Sequence, residues 1–424
     1  MSIGTVLRGF RPREFSRNVR LFFLYGISIN AGMALFSLLY NLYLLRLSYQ
    51  EDFIGQVASM APLACGILAI PTGVLSDRLG RKPFLIGSCL LLAVSQLGMC
   101  FAVTPQALLA FSFVGGMGSA FIWVNHVPFL SENAHFSRRA EALVIWTALQ
   151  VVVRMLLSIA GGMMPGAMAY FLGISTDTPE AFRYSLIVGA FFSIAAVLPL
   201  LAISTSTSQR KTAGIYPESE VADSVGEKTA ISPLRTYVGI VTLSATRGFS
   251  IGLTYPFFNV FFEEELYVGP AAIGIIFFAS QLAGLPATFG APSLVRKLGS
   301  TVTILLARSL GGGAVGIMGA FVTLPVAVSM FLLVRIGEVI DNPSDQNFST
   351  QVLPRRYWAK IQGFRVCGFQ LLSCVGSILG GMLILEHGYW ASFGLACVAR
   401  ISSGLIMAAF FGFKLESAPS VLKS

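Results

Sequence analysis

The chain has 424 residues, 55% of them hydrophobic and only 12% charged, with a mean hydropathy of +0.75. A soluble chain carries about 25% charged residues, so the composition excludes a disordered protein and argues against a soluble enzyme; a lipid-embedded protein remains. The net charge of +9 is read as a membrane-topology signal rather than a nucleic-acid footprint, because the basic residues sit in short segments between apolar runs.

In chain order, the first 20 residues carry Arg8, Arg11, Arg13, Arg17 and Arg20 with no separate apolar core, so no cleavable leader is expected. Twelve apolar runs follow, near 20–46, 53–76, 83–103, 105–128, 140–171, 182–203, 235–262, 270–295, 301–322, 324–346, 357–385 and 388–413. A hydrocarbon core needs about 20 helical residues per crossing, and lipid-exposed backbone must be helical. The six cysteines lie in these runs without C-x-x-C spacing and read as buried thiols.

With a cytoplasmic N-terminus, the inner segments hold 21 of the 29 Lys and Arg, whereas the outer loops hold only Arg46 and Arg183. That bias alternates along the whole chain and fixes the expected topology, with both termini cytoplasmic. The polar stretch 204–233, rich in Ser, Thr and charge, reads as a cytoplasmic linker. It divides a six-helix bundle, 1–203, from a second one, 234–424. The halves also resemble each other. Ser158–Met163 (SIAGGM) returns as Ser377–Met382 (SILGGM), and Asp77–Gly80 (DRLG) as Arg296–Gly299 (RKLG), both displaced by 219. Duplicated six-span units are a transporter architecture with the site between the halves.

After the second run the sequence reads Gly73-Val74-Leu75-Ser76-Asp77-Arg78-Leu79-Gly80-Arg81-Lys82. It resembles the G-x-L-x-D-R-x-G-R-K loop of the major facilitator superfamily, in the expected place, and the resemblance extends through the twelve spans and the two halves. It implies an all-α integral membrane protein with two pseudo-symmetric six-helix bundles. It also implies that the loop (Gly73, Asp77, Arg78, Gly80, Arg81, Lys82) latches the halves together, Asp77 reaching the start of helix eleven near Arg355, Arg356 and Tyr357. Glu132 and Arg138 resemble the family's acidic-then-basic pattern after helix four and extend that network. On physical grounds alone, Gly80 permits a tight turn and Asp77 is an anion suited to a helix N-terminus; the alternative is that these residues only set topology. The second copy has lost the Asp equivalent, so a symmetric latch is not expected. Gly161-Gly162-x-x-Pro165-Gly166 and Gly376-x-x-x-Gly380-Gly381 read as close helix packing.

Charges inside the membrane are expensive and usually face a cavity or a partner. In the family, helices one, four, seven and ten line the central cavity. Arg247 falls in helix seven, and Arg335, Glu338 and Asp341 in helix ten, the last three spaced by three residues. Their counterparts at the 219 displacement are Gly116, Ser119 and Ile122, so the repeat itself does not require the charges. Function explains them, and so does simple pairing of Arg335 with Glu338. Gln150 and Arg154 share a face of helix five; Asn30 in helix one and Asn259 in helix seven supply neutral hydrogen bonds. Arg308 and Arg400 read as structural, and Arg365 as low in the cavity. There is no HExxH, GxSxG or GxxxxGK[ST] pattern, so no metal, cofactor or enzymatic activity is expected.

The sequence therefore reads as a monomeric, multi-pass secondary transporter of the cytoplasmic membrane, with no nucleic-acid partner. It moves a small-molecule substrate by alternating access with proton coupling, Glu338 or Asp341 being the protonated group and Arg335 its partner. Two alternatives stand beside this: an exporter of amphiphilic drugs, and a transport-inactive receptor or scaffold.

Overall fold

The computed structural model describes residues 15–204, 233–352 and 358–411. Within them the chain forms twelve membrane-crossing units and no strand. The first half contains α1 (Arg17–Arg46), α2 (Glu51–Leu79), α3 (Arg81–Phe101), α4 (Pro105–Asn133), α5 (Arg139–Leu172) and α6 (Pro179–Ala195, continued by Val197–Leu201). The second half begins with α7, which is broken: Pro233–Thr254, a single 3-10 turn Tyr255–Phe257, then Phe258–Glu264. It continues with α8 (Pro270–Leu298), α9 (Ser300–Ala320), α10 (Leu324–Val352), α11 (Trp358–His387) and α12 (Tyr389–Phe411). Ten of the units are long and apolar enough to cross a membrane by length and composition alone. The two that fall short are α7, with its break, and α10, which carries Arg335, Glu338, Asp341 and Asp345. The polar stretch 205–232 and the expected latch partners Arg355, Arg356 and Tyr357 lie outside the described residues.

The duplication extends to helix boundaries. Helices α2, α3 and α4 reappear as α8, α9 and α10 with both ends displaced by the same 219 residues. The turn between α2 and α3 is Gly80 (φ 91°, ψ 160°), and its counterpart between α8 and α9 is Gly299 (φ 79°, ψ 160°). Both need the positive φ that glycine adopts without strain.

Contact between the halves is made by α2 with α11 and by α5 with α8. Each pair crosses on glycine near the distal end of the bundle, opposite the start of α1. A Cβ on Gly55 would lie 2.4 Å from the Ser377 carbonyl oxygen, and one on Gly381 would lie 2.3 Å from that of Glu51. The counterparts repeat the arrangement: a Cβ on Gly274 would lie 2.3 Å from the Ser158 carbonyl oxygen, and one on Gly162 would lie 2.6 Å from that of Pro270. Small residues let helix backbones approach where lipid supplies no hydrophobic drive. Distal polar contacts add to the clamp. Asn259 Nδ2 donates to the Leu38 carbonyl (2.8 Å). Asn41 Nδ2 donates to the Pro256 carbonyl (2.6 Å). Arg46 pairs with Glu263.

Gly274→Ala and Gly55→Ala should each cost about 1–3 kcal/mol of stability through overpacking. Gly166→Ala and Gly313→Ala, whose added Cβ meets nothing within 4 Å, should be silent. Thermal unfolding in detergent compares the four.

At the distal end of α7, Tyr389 Oη donates to Glu264 Oε2 (3.3 Å).

Candidate functional site

The loop between α2 and α3 is organised by Arg81. Its Nη2 pairs with Asp77 (2.7 Å), its Nε with Glu132 at the end of α4 (2.8 Å), and its Nη1 with Ser76 Oγ (3.3 Å) and Asn125 Oδ1 (3.4 Å). Lys82 Nζ donates to the carbonyls of Leu201 (3.2 Å) and Ile203 (2.7 Å) at the end of α6. Arg138 lies over the Phe15 ring (5.8 Å). The loop thus ties α2, α3, α4 and α6 of the first half together. Gly73 has ordinary van der Waals space above it, Val124 being 3.7 Å from an added Cβ.

At the centre, a pocket is bordered by Tyr255, Phe258, Phe331, Gln281, Arg335 and Glu338 of the second half and by Ser37 of α1. Its free space is about 40 Å³, room for two or three waters rather than an organic solute. Arg335 Nη2 donates to Gln281 Oε1 (2.6 Å), and its Nη1 pairs with Glu338 Oε2 (3.4 Å). Arg400 reaches the other oxygen of Glu338 (3.6 Å). Tyr255, half exposed at the break of α7, is within electrostatic reach of Glu338, Arg335, Arg154 and Arg400. The break follows from sequence: Pro256 has no amide hydrogen to continue the helix, and Asn259 lies one turn further on, in the distal segment.

Asp341, expected beside Glu338 in the cavity wall, is instead enclosed. Its side chain has no exposure, with one oxygen 3.0 Å from Arg308 Nε and the other 2.9 Å from Arg247 Nε. Three residues along a helix turn it by about 300°, so each step from Arg335 to Glu338 to Asp341 moves further round α10 and into the half-bundle. Arg247 also donates to Asn342 and lies over the Phe369 ring (5.7 Å). Arg365, expected low in the cavity, is buried and bonded to Asp345, Ser349 Oγ and Ser244 Oγ. Arg308 spans Asp341 and Asp345 (3.2 Å) and donates to Ser403 Oγ (2.6 Å). The result is a buried ladder of ions joining α7, α9, α10, α11 and α12.

The first half answers differently. Where α10 and its neighbours place Asp345, Arg365, Arg308 and Ser244, the residues displaced by 219 are His126, Trp146, Cys89 and Tyr25. Tyr25, Cys89 and Trp146 belong to an apolar core in which Phe22 stacks on Trp146 (4.7 Å) and on Phe129 (4.6 Å). A smaller pocket opens beside it, bordered by Asn30, Trp123, His126, Trp146, Gln150 and Arg154. Arg154 Nη2 donates to Asn30 Oδ1 and Gln150 Oε1, both at 3.4 Å. Asn30 also donates to the Gly26 carbonyl (2.9 Å). Asn259 borders the second-half pocket, but its amide is committed to the clamp with Leu38.

The arrangement of twelve helices in two repeated halves is matched elsewhere. Residues 21–364 match the model of the Major Facilitator Superfamily. The chain belongs to that family. It is a multi-spanning membrane transporter of the secondary type. A membrane protein of Saccharomyces cerevisiae is 22% identical over 402 residues, covering 88% of this chain and 89% of its own. The Lactococcus lactis homolog of the multi-drug resistance efflux pump PmrA is 21% identical, with 78% of each chain covered. Among solved structures, the nucleoside transporter NupG superposes with a TM-score of 0.72 at 14% identity, over 94% of this chain and 99% of that one. The D-xylose-proton symporter does so with 0.72 at 15%, over 93% and 97%. These superpositions establish a shared fold.

Sequence reasoning missed Tyr255, and it placed Arg400 among structural residues. Pro256 was the available signal for the first. Nothing local marks the second, because α12 meets α10 only in the folded bundle.

The ladder and the cavity should separate under mutation. Asp341→Asn leaves Arg308 and Arg247 short of a buried counter-charge and should cost about 3–5 kcal/mol, read as lost yield of folded, monodisperse protein. Arg335→Gln, at the cavity edge with Gln281 beside it, should fold normally on size-exclusion chromatography.

Proposed function

We propose that the protein moves an anionic organic solute across the membrane together with a proton, by alternating access between its two halves. The observation that carries this reading is the placing of Glu338 between Arg335 and Arg400 at the edge of the central pocket. An anion that takes the Arg335 guanidinium competes with Glu338 for it. Protonating Glu338 removes the competitor and leaves the guanidinium a bidentate donor for a carboxylate. Proton and anion then enter together, so the charge in the pocket does not change, and neither is carried without the other. Arg154 supports the same sign of solute, because its hydrogen-bond partners Asn30 and Gln150 are neutral.

In this reading residues 1–203 and 234–424 move as two bodies joined by 204–233, and the glycine crossings at the distal end are the contact that must open. The termini are cytoplasmic, the membrane is the cell membrane, and one copy of the chain transports alone without cofactor or chemical conversion. Asp77, Arg78, Gly80, Arg81 and Lys82 act as the latch that closes the proximal end. Arg247 and Asp341 keep α7 and α10 aligned under the pocket rather than touching solute.

A second reading, export of amphiphilic drugs, draws on the aromatic wall of Tyr255, Phe258, Phe277 and Phe331 and on the efflux pumps among the relatives. Thermal unfolding of the purified protein against organic anions, neutral solutes and lipophilic cations decides between the two. A ligand at 100 times its Kd adds about 2.7 kcal/mol. Stabilisation by anions, lost in Arg335→Gln, is the expected result; stabilisation by lipophilic cations alone overturns it. In liposomes, Glu338→Gln should bind the anion yet fail to concentrate it in response to a pH gradient.

A further inference from the structure

The first-half pocket carries a chemistry that the reading above leaves unused. Trp123 lies about 200° around α4 from Phe121, which packs on Gly87 of α3. It therefore faces away from the peripheral α3 and toward the centre of the bundle, where it is half exposed at the pocket rim. His126 meets it edge-on (5.7 Å) and lies nearly parallel to Trp146 (5.8 Å, 28°). Trp146 is 2% exposed, yet its indole Nε1 has no hydrogen-bond partner among the described residues. A buried, unpaired N–H is a cost that a ligand acceptor relieves. Arg154 completes the pocket, with each of its hydrogen bonds to a neutral oxygen stretched to 3.4 Å, and lies within electrostatic reach of Tyr255 and Arg335 across the cavity.

The repeat shows that none of this is required by the fold. At the equivalent positions the second half has Asn342 for Trp123, Asp345 for His126 and Arg365 for Trp146, and it fills the space with ions instead. At these three positions only the first half is aromatic.

We propose that this pocket selects the solute: a planar aromatic carboxylate, its ring on Trp123 and its carboxylate held by Arg154 together with Arg335 across the cavity. This rests on the anion reading and narrows it. A planar ring presents a π-face to the indole and an edge to His126, geometries that aromatic pairs favour, while the guanidinium supplies paired donors in one plane. A saturated ring of equal charge and similar size keeps the carboxylate contact and loses the stacking.

The test uses the full-length protein in detergent with three probes: benzoate, cyclohexanecarboxylate and neutral benzamide. Binding is read by thermal stabilisation and by quenching of intrinsic tryptophan fluorescence. Benzoate should bind about tenfold more tightly than cyclohexanecarboxylate, which corresponds to about 1.4 kcal/mol, and benzamide should bind most weakly. Trp123→Leu should bring the two carboxylates to equal affinity, Trp123→Phe should restore most of the preference, and Arg154→Gln should weaken both. Equal affinity in the unmodified protein, or a preference that survives Trp123→Leu, overturns the aromatic selectivity while leaving anion transport standing. Benzamide binding as tightly as benzoate, or no binding by any organic anion, overturns both readings.

Discussion

The two halves of this protein touch through glycine. Gly55 on Gly381 and Gly274 on Gly162 bring backbone carbonyls to where any side chain would stand, and the two crossings are copies of each other by the internal repeat. In lipid there is no hydrophobic gain from pressing helices together, so closeness itself supplies the van der Waals attraction. At the crossings themselves there are no long side chains to disentangle. The contact separates and re-forms as a rigid surface, which suits halves that must rock. The break of α7 at Tyr255–Pro256 lies beside that contact, with Asn41 bonding the Pro256 carbonyl in the break and Asn259 the Leu38 carbonyl one turn beyond it.

The two halves share a scaffold and spend their interiors differently. The second half is held by a ladder of arginine and carboxylate running down α10, with Arg308 wholly buried between Asp341 and Asp345. Such pairs contribute little net stability against an apolar core of the same volume, but removing one partner is severe. They specify which helix faces join. The first half fills the same positions with His126, Trp146, Cys89 and Tyr25. The ladder of ions therefore belongs to the second half, an asymmetry that a symmetric pair of bundles would lack.

Glu338 stands where the ladder meets the cavity. One carboxylate oxygen belongs to Arg335, which borders the pocket, and the other to Arg400, which is buried in α12. A change at this carboxylate is felt both by a bound solute and by the packing of the half-bundle. That double attachment is the physical link between what occupies the pocket and how the halves sit.

Twelve helices, the duplication and the loop at Gly73–Lys82 were legible in the sequence because they depend on local quantities. Hydropathy over about 20 residues reports a crossing, lysine and arginine between crossings report alternation, and the 219 displacement needs only comparison of the chain with itself. The functional wall was half legible. Arg335 and Glu338 announced themselves as charges in an apolar run, and Arg154 with Gln150 by their spacing on one helix. Whether a buried charge faces solute or another charge was not legible, since Asp341 and Arg365 look the same in sequence as Glu338. Only the packing of α9 and α12 against α10 decided that Asp341 belongs to Arg308 and Glu338 to the pocket. Lipid composition writes helices into the sequence one at a time. Ion pairing and aromatic stacking join residues as far apart in the chain as Arg46 and Glu263 or Phe22 and Trp146, and tertiary structure alone brings them together.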